Sequence, residues 1–510
     1  MIDLDGILLV GTVVLIAAIL AARLGSRIGL PSLLLFLALG MAMGPFGVNL
    51  DNPDLARALG FGALVVILAE GGLTTRWNDI KPSIGVASLL ATLGIAVSVA
   101  LMTAFCYFVL GLDLWISVLV GAVTSPTDAA AVFSVLRNVP IPHRLRGALE
   151  AESGLNDAPT VLLVMVASEA ATSGPPAGGP IGMVALIVLE LAGGVLIGLV
   201  FGWVGVAILR RVALPSSGLY PLAALVWTVF TYAAGAEIHT SGFAAVYVCA
   251  LMLGNAQLPH RAATRSFVEG IGSIAQIGLF VMLGLLVQPQ TVTLHQVLIA
   301  IAAGLFLTLV ARPLSVVAST LPFRIPAREQ AFLSWAGLRG AVPIVLATIP
   351  VSVQVANSDL LFNVVLVFVV VFTCLQAPTL PLVARRLGLI DDAATRDIEV
   401  EAAPLDKISA DLLQVRIPPG SRLAGIEITE LRLPVNTVVS LLIRDGQPFS
   451  PSGRDRLKVG DELLIVTPTA HRQLTEDRLR ELGRGGRLAR WRQGGRRDPN
   501  PRPPQLGRKG

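Results

Sequence analysis

Thirteen stretches of about 20 predominantly apolar residues follow one another between residues 7 and 383, and a stretch of that length crosses the hydrocarbon core of a bilayer as an α-helix. In lipid such a chain satisfies its backbone only by closing every hydrogen bond within helices. Composition points the same way. Of 510 residues, 54% are hydrophobic and 14% charged, whereas soluble domains carry about 25% charge. The expectation is an all-α polytopic membrane domain over 1–390 with about 13 transmembrane helices, which excludes a soluble enzyme as the main body. Cys106, Cys249 and Cys374 fall singly inside apolar runs, and the five histidines lie near run ends or beyond them. Neither a disulfide framework nor a metal site is expected, and no cofactor.

Alternate connections collect sixteen arginines and lysines, from Arg23 and Arg27 to Arg385 and Arg386, with Arg312 counted among them; the opposite connections offer only Arg57. The positive-inside rule then places the N-terminus outside and the C-terminus in the cytoplasm of a bacterial inner membrane, which requires an odd number of spans.

Two spans are interrupted. In span 5, GAVTSPTDAAAVF brings Thr124, Ser125, Pro126, Thr127 and Asp128 to mid-membrane, and Pro126 frees the carbonyl of Ala122. In span 12, WAGLRGAVPIVL carries Gly337, Arg339, Gly340 and Pro343. Irregular backbone survives in a bilayer only where protein or a water-filled cavity satisfies it. Interruptions seven spans apart are what two inverted six-span repeats joined by one extra helix would give.

Span 6 holds Glu152, Asn156 and Asp157 within the otherwise apolar Gly147–Val164. A charge at that depth costs about 2.5–3.5 kcal/mol on insertion scales, so it marks an ion or proton pathway. At about 100° per residue, Ser153, Asp157 and Thr160 share one face, while Glu152 and Asn156 share another. Asp157 with Ser153 suits a hard alkali cation, beside Thr127 and Asp128 of span 5. Asp128 has a second reading as the N-cap of the later half of span 5, and one side chain can serve as both. Glu70 sits near the cytoplasmic end of span 3, where a carboxylate reaches water.

Together, TSPTDAAAV, ESGLNDAP and GLRGAVPI resemble the monovalent cation/proton antiporters of the sodium/proton exchanger superfamily, in the branch whose sixth span carries Asn-Asp. The resemblance covers roughly residues 1–390. It implies a homodimer in which a six-helix core moves against a dimerisation domain. It also implies a cation/proton site at Asp157, Asp128, Thr127, Ser153 and Asn156, with Glu70 a member in some relatives, and a buried ion pair between Glu152 and Arg339.

After Arg386 the character changes. Residues 391–403 read as a polar linker, and 404–470 as a small cytoplasmic α+β domain with strands near 412–418, 436–444 and 461–468, a turn at Asp445-Gly446, and helices near 426–431 and 469–482. SRLAGIEITELRLP, SLLIRDGQPFSPSG and LKVGDELLIVTP resemble the TrkA-C domain, which implies a small-molecule regulator. No strand-GxGxxG-helix unit precedes it, so NAD is not expected. Residues 471–510 end a helix and run into a basic tail that cannot bury a core and suits anionic lipids; no nucleic-acid partner is expected.

The function these features imply is electroneutral exchange of a monovalent cation for protons, potassium favoured over sodium because a potassium-type sensing domain is attached, with one proton and one cation competing for Asp157. The alternative is a ligand-gated cation channel, but no TVGYG-like filter is present.

Overall fold

The computed structural model describes residues 4–28, 31–44, 53–136, 139, 141–174, 178–287, 289–390, 399–405, 410–418 and 420–486. The chain divides into two compact units between Ile390 and Asp391.

Among the described residues, the regular elements of the first unit are all helices. Its opening half contains α1 (Leu4–Ile28), α2 (Ser32–Met43), α3 (Pro53–Thr74), α4 (Trp77–Ile80), α5 (Ile84–Leu89), α6 (Ile95–Phe108), α7 (Leu114–Thr124), α8 (Ala129–Leu136), α9 (His143–Ser173) and α10 (Gly179–Arg211). Its closing half contains α11 (Leu219–Glu237), α12 (Gly242–Asn255), α13 (Arg261–Leu286), α14 (Leu294–Phe306), α15 (Arg312–Thr320), α16 (Ala327–Trp335), α17 (Val342–Ser352) and α18 (Ser358–Arg386). Each of the thirteen apolar runs is occupied by a helix or a chain of helix segments. By length and composition, seven helices among the described residues are able to cross a membrane, or eight if the bent pair α7 and α8 is one span; α2, α12 and α17 are shorter apolar helices.

Two long rods share an internal defect. Trp77–Phe108 contains a π-turn at Leu90–Gly94, and Leu294–Phe323 contains one at Leu307–Ala311. The rods lie against each other, with Phe105 and Phe306 stacked at 4.1 Å. The π-turns, like the breaks, recur seven spans apart, so the two halves repeat the same irregularities. Elsewhere the bundle closes through small residues: a Cβ on Gly40 would lie 2.1 Å from the carbonyl oxygen of Val281, and one on Gly284 would lie 2.2 Å from that of Leu37, so α2 and α13 cross with their backbones in contact. Along α10, Ile181, Leu189 and Trp203 are 82%, 70% and 70% exposed, an apolar face of the kind that meets lipid.

The second unit is a five-stranded antiparallel sheet in the order β1-β2-β5-β3-β4, built from β1 (Glu399–Leu405), β2 (Ala410–Arg416), β3 (Val438–Arg444), β4 (Gln447–Phe449) and β5 (Glu462–Pro468). Strand β1 takes in residues 399–403 of the expected 391–403 linker, and residues 391–398 lie outside the described residues. Glu399–Leu405 is an edge strand, and its Pro404 is tolerated because an edge has one side without a ladder. Leu413, Val415, Leu463 and Ile465 alternate inward and meet Leu479 and Leu482 of α19 (Arg472–Gly485). Asp445 and Gly446, both at positive φ, turn β3 into β4, as an Asp-Gly hairpin requires. Asp461 is 1% exposed and is held by Arg444 through two hydrogen bonds, Nε to Oδ1 at 2.9 Å and Nη2 to Oδ2 at 2.7 Å, which raise the Arg444 pKa further. The basic tail beyond Gly486 lies outside the described residues.

Candidate functional site

Proline creates the site by what it withholds. Pro126 and Pro343 each lack an N–H, so span 5 opens between α7 and α8 with a 42° bend, and span 12 opens between α16 and α17. The two non-helical segments meet and supply each other's missing partners. The Asp128 N–H donates to the Leu338 carbonyl at 2.8 Å, and Thr373 Oγ1 donates to the carbonyl of Arg339 at 2.9 Å. The Arg339 guanidinium, 3% exposed, donates from Nε to the carbonyl of Thr124 at 3.1 Å and from Nη1 to that of Gly337. One cation thereby sits at the C-terminal ends of α7 and α16, where the helix dipoles are negative.

Helix α9 presents its polar residues to this crossing. The Asn156 Nδ2 donates to Thr127 Oγ1 at 3.0 Å and to its carbonyl at 3.3 Å. Ser153 Oγ accepts from the Ala129 N–H at 3.1 Å, and Asp128 Oδ1 accepts from the Ala131 N–H at 3.2 Å. Asp128 is therefore the N-cap of α8, while its second oxygen stays against Gly340, where a Cβ would lie 1.7 Å away. Thr124 and Ser125 spend their hydroxyls on the carbonyls of Val120 and Gly121. At the crossing, two buried acceptors, Asn156 Oδ1 and Asp157 Oδ1, and one buried donor, Arg339 Nη2, have no hydrogen-bond partner among the described residues, and Asp128 is close enough to Asp157 to act on it electrostatically. Unpaired buried acceptors cost about 1–3 kcal/mol each. A dehydrated alkali cation, which wants carboxylate, hydroxyl and amide oxygens, or a proton on Asp157, would offset that cost.

The ion pair expected between Glu152 and Arg339 is corrected. Glu152 meets Arg312, Nη1 to Oε1 at 2.6 Å and Nη2 to Oε2 at 3.0 Å, with both side chains almost wholly excluded from solvent. Arg312 follows directly on the π-turn Leu307–Ala311, and an extra residue in a turn rotates everything after it. Arg312 is thus a buried residue of its rod and not one of the positive charges of a connection. Arg339 is committed instead to the backbone of the crossing.

The profile of the family described as "Sodium/hydrogen exchanger, transmembrane" matches residues 12–386, which takes in both breaks and all of α9. The chain belongs to the sodium/hydrogen exchanger family. A second profile, the TrkA-C domain, matches residues 412–480. The exchanger is 34% identical over 473 residues to the K(+)/H(+) antiporter NhaP of Alkalimonas amylolytica, covering 91% of this chain and 81% of that one. It is 31% identical over 472 residues, with the same coverage, to the K(+)/H(+) antiporter NhaP2 of Shewanella oneidensis. Its fold resembles that of the sodium proton antiporter MjNhaP1 from Methanocaldococcus jannaschii solved at pH 8, with a TM-score of 0.63 at 21% identity, over 74% of this chain and 100% of that one.

Of the six positions expected at the exchanger's ion site, five gather around the crossing: Asp157, Asp128, Thr127, Ser153 and Asn156. Glu70 stands on α3 against Gly272 of α13, where a Cβ would lie 2.7 Å from its Cγ, and its charged neighbours are Glu269 and Arg265. Sequence reasoning passed over Arg312, and it also passed over Glu150. The signal for Glu150 was spacing: Glu150, Gly154 and Asp157 fall at i, i+4 and i+7 on one face of α9.

Proposed function

We propose that this exchanger carries a monovalent cation, potassium before sodium, against protons across the bacterial inner membrane, with its N-terminus outside and its C-terminus in the cytoplasm. The observation that carries the reading is Asp157, a carboxylate with a buried oxygen left unpartnered beside a crossing of two broken helices. Cation and proton compete there for one carboxylate, and alternating access presents it to each side in turn. Asp128, Thr127, Ser153 and Asn156 complete the cation's oxygen shell, Glu70 serves as an outlying member, and Asp128 also ends α8. Potassium is favoured by the names of the two relatives above, which align through the TrkA-C region as well.

Asn156 stands where a second titratable acid would otherwise be, and Glu152 is neutralised by Arg312, so one proton exchanges for one cation. The working form is a homodimer, and the TrkA-C domain binds a small-molecule regulator. Proteoliposomes holding a fixed pH gradient test the reading with potassium, sodium and lithium in turn. Cation-driven proton movement is expected with potassium and is abolished in Asp157→Asn, whose amide keeps the shape but cannot cycle a proton. Exchange that persists in that variant would remove Asp157 from the centre of the mechanism.

A further inference from the structure

One carboxylate on α9 has no part in the crossing. Glu150 lies two turns before Asp157 on the same helix face, and its Oε1 accepts a hydrogen bond from Thr75 Oγ1 at 2.9 Å. Thr75 follows the end of α3, and α4 supplies Asp79 nearby, so Glu150 faces the end of the bundle that bears Arg76 and Arg144. Other charges act on it from two directions: Arg146 one turn back on α9, and Arg265 on α13. None of them closes an ion pair with it among the described residues.

Between Glu150 and Asp157 the helix is bare. Gly154 sits one turn from each, and a Cβ there would lie 2.3 Å from the hydroxyl oxygen of Tyr247, which α12 drives into the gap. Tyr247 is 5% exposed and lies within electrostatic reach of both Glu150 and Asp157. The order along this face is therefore carboxylate, phenol, carboxylate, running from the bundle end towards the crossing.

We propose that Glu150 is a second ion-handling carboxylate, which the cation meets before Asp157 on its way in from the cytoplasmic face, with the Tyr247 ring dividing the two stations. Thr75 holds Glu150 turned towards that route. The inference rests on the antiport reading given above.

The test measures apparent cation KM from each face, using everted and right-side-out membrane vesicles containing the full chain. Glu150→Gln is expected to raise KM about tenfold from the cytoplasmic face, the scale of removing one charged interaction with the ion, and to leave KM from the other face and the maximal rate unchanged. Glu150→Asp should recover part of the affinity. Should Glu150→Gln not insert, Thr75→Ala is the second variant, with a smaller rise on the same face only. An unchanged KM on the cytoplasmic face, or an equal rise on both faces, overturns the proposal. Wild-type vesicles that exchange nothing would count against the antiport reading instead, which keeps the two failures apart.

Discussion

Neutralising Glu152 should destabilise the membrane unit far more than a surface charge would, and a second substitution should undo the damage only if it is made at Arg312. The contact is bidentate at 2.6 and 3.0 Å, and the side chains of Arg312 and Glu152 are 4% and 2% exposed. At an effective dielectric of about 20, opposite charges about 4 Å apart attract by roughly 4 kcal/mol. Removing one partner forfeits that attraction and leaves the other charge desolvated, which together costs about 3–5 kcal/mol. Replacing both with neutral groups of similar volume removes the desolvation cost as well, so Glu152→Gln with Arg312→Met should recover most of the stability. Thermal unfolding of detergent-purified protein reads the cycle: two single variants that melt well below wild type and a double variant that melts above either. The control is Glu152→Gln with Arg339→Met, which should couple more weakly, because Arg339 feels the Glu152 charge only through space and is bonded to the carbonyls of Thr124 and Gly337. Coupling in the second cycle as strong as in the first, or stronger, would refute the assignment.

Gly340→Ala should abolish transport, since the added methyl would fall 1.7 Å from Asp128 Oδ2; flux and thermal unfolding measured together separate a displaced carboxylate from a collapsed fold. One-for-one exchange moves no net charge and should be driven by ion gradients at about 1.4 kcal/mol per pH unit. The potassium gradient that just balances a fixed pH gradient should then stay put when an inside-negative potential is imposed, and a balance point that moves with potential means charge is carried. In the second unit, Asp461→Ala should cost about 1.5–3 kcal/mol by breaking its charged hydrogen bonds to Arg444. Protease sensitivity confined to residues beyond 390 would register that destabilisation, with exchange retained.

The helices were legible because lipid leaves a chain so few options, and the breaks because proline cannot donate. The grouping of Thr127 and Asp128 with Ser153, Asn156 and Asp157 was implied by the family resemblance of TSPTDAAAV and ESGLNDAP, which hold these residues. What escaped was rotation and pairing. A helical wheel separates Ser153 from Asn156, yet both reach the crossing, because an extended segment spans more of a helix surface than one stripe. Arg312 was hidden by the π-turn before it, whose phase shift no regular wheel carries. Glu399–Leu405 was hidden by its acids, since strand propensity says little about an edge whose pairing is decided by a partner further along the chain, Ala410 to Arg416.

The ties at the crossing bear on how selectivity and speed can evolve apart. Asp128 is fastened to Leu338, Thr127 to Asn156, and both helix ends to Arg339. A lattice of this kind cannot open one strand without breaking its neighbours. Under the alternating access proposed above, the cradle travels as a piece, and its oxygens keep their spacing whichever side they face. Substitutions inside the lattice should then change which ion is chosen, while those on the surfaces it slides against should change only how often the choice is made.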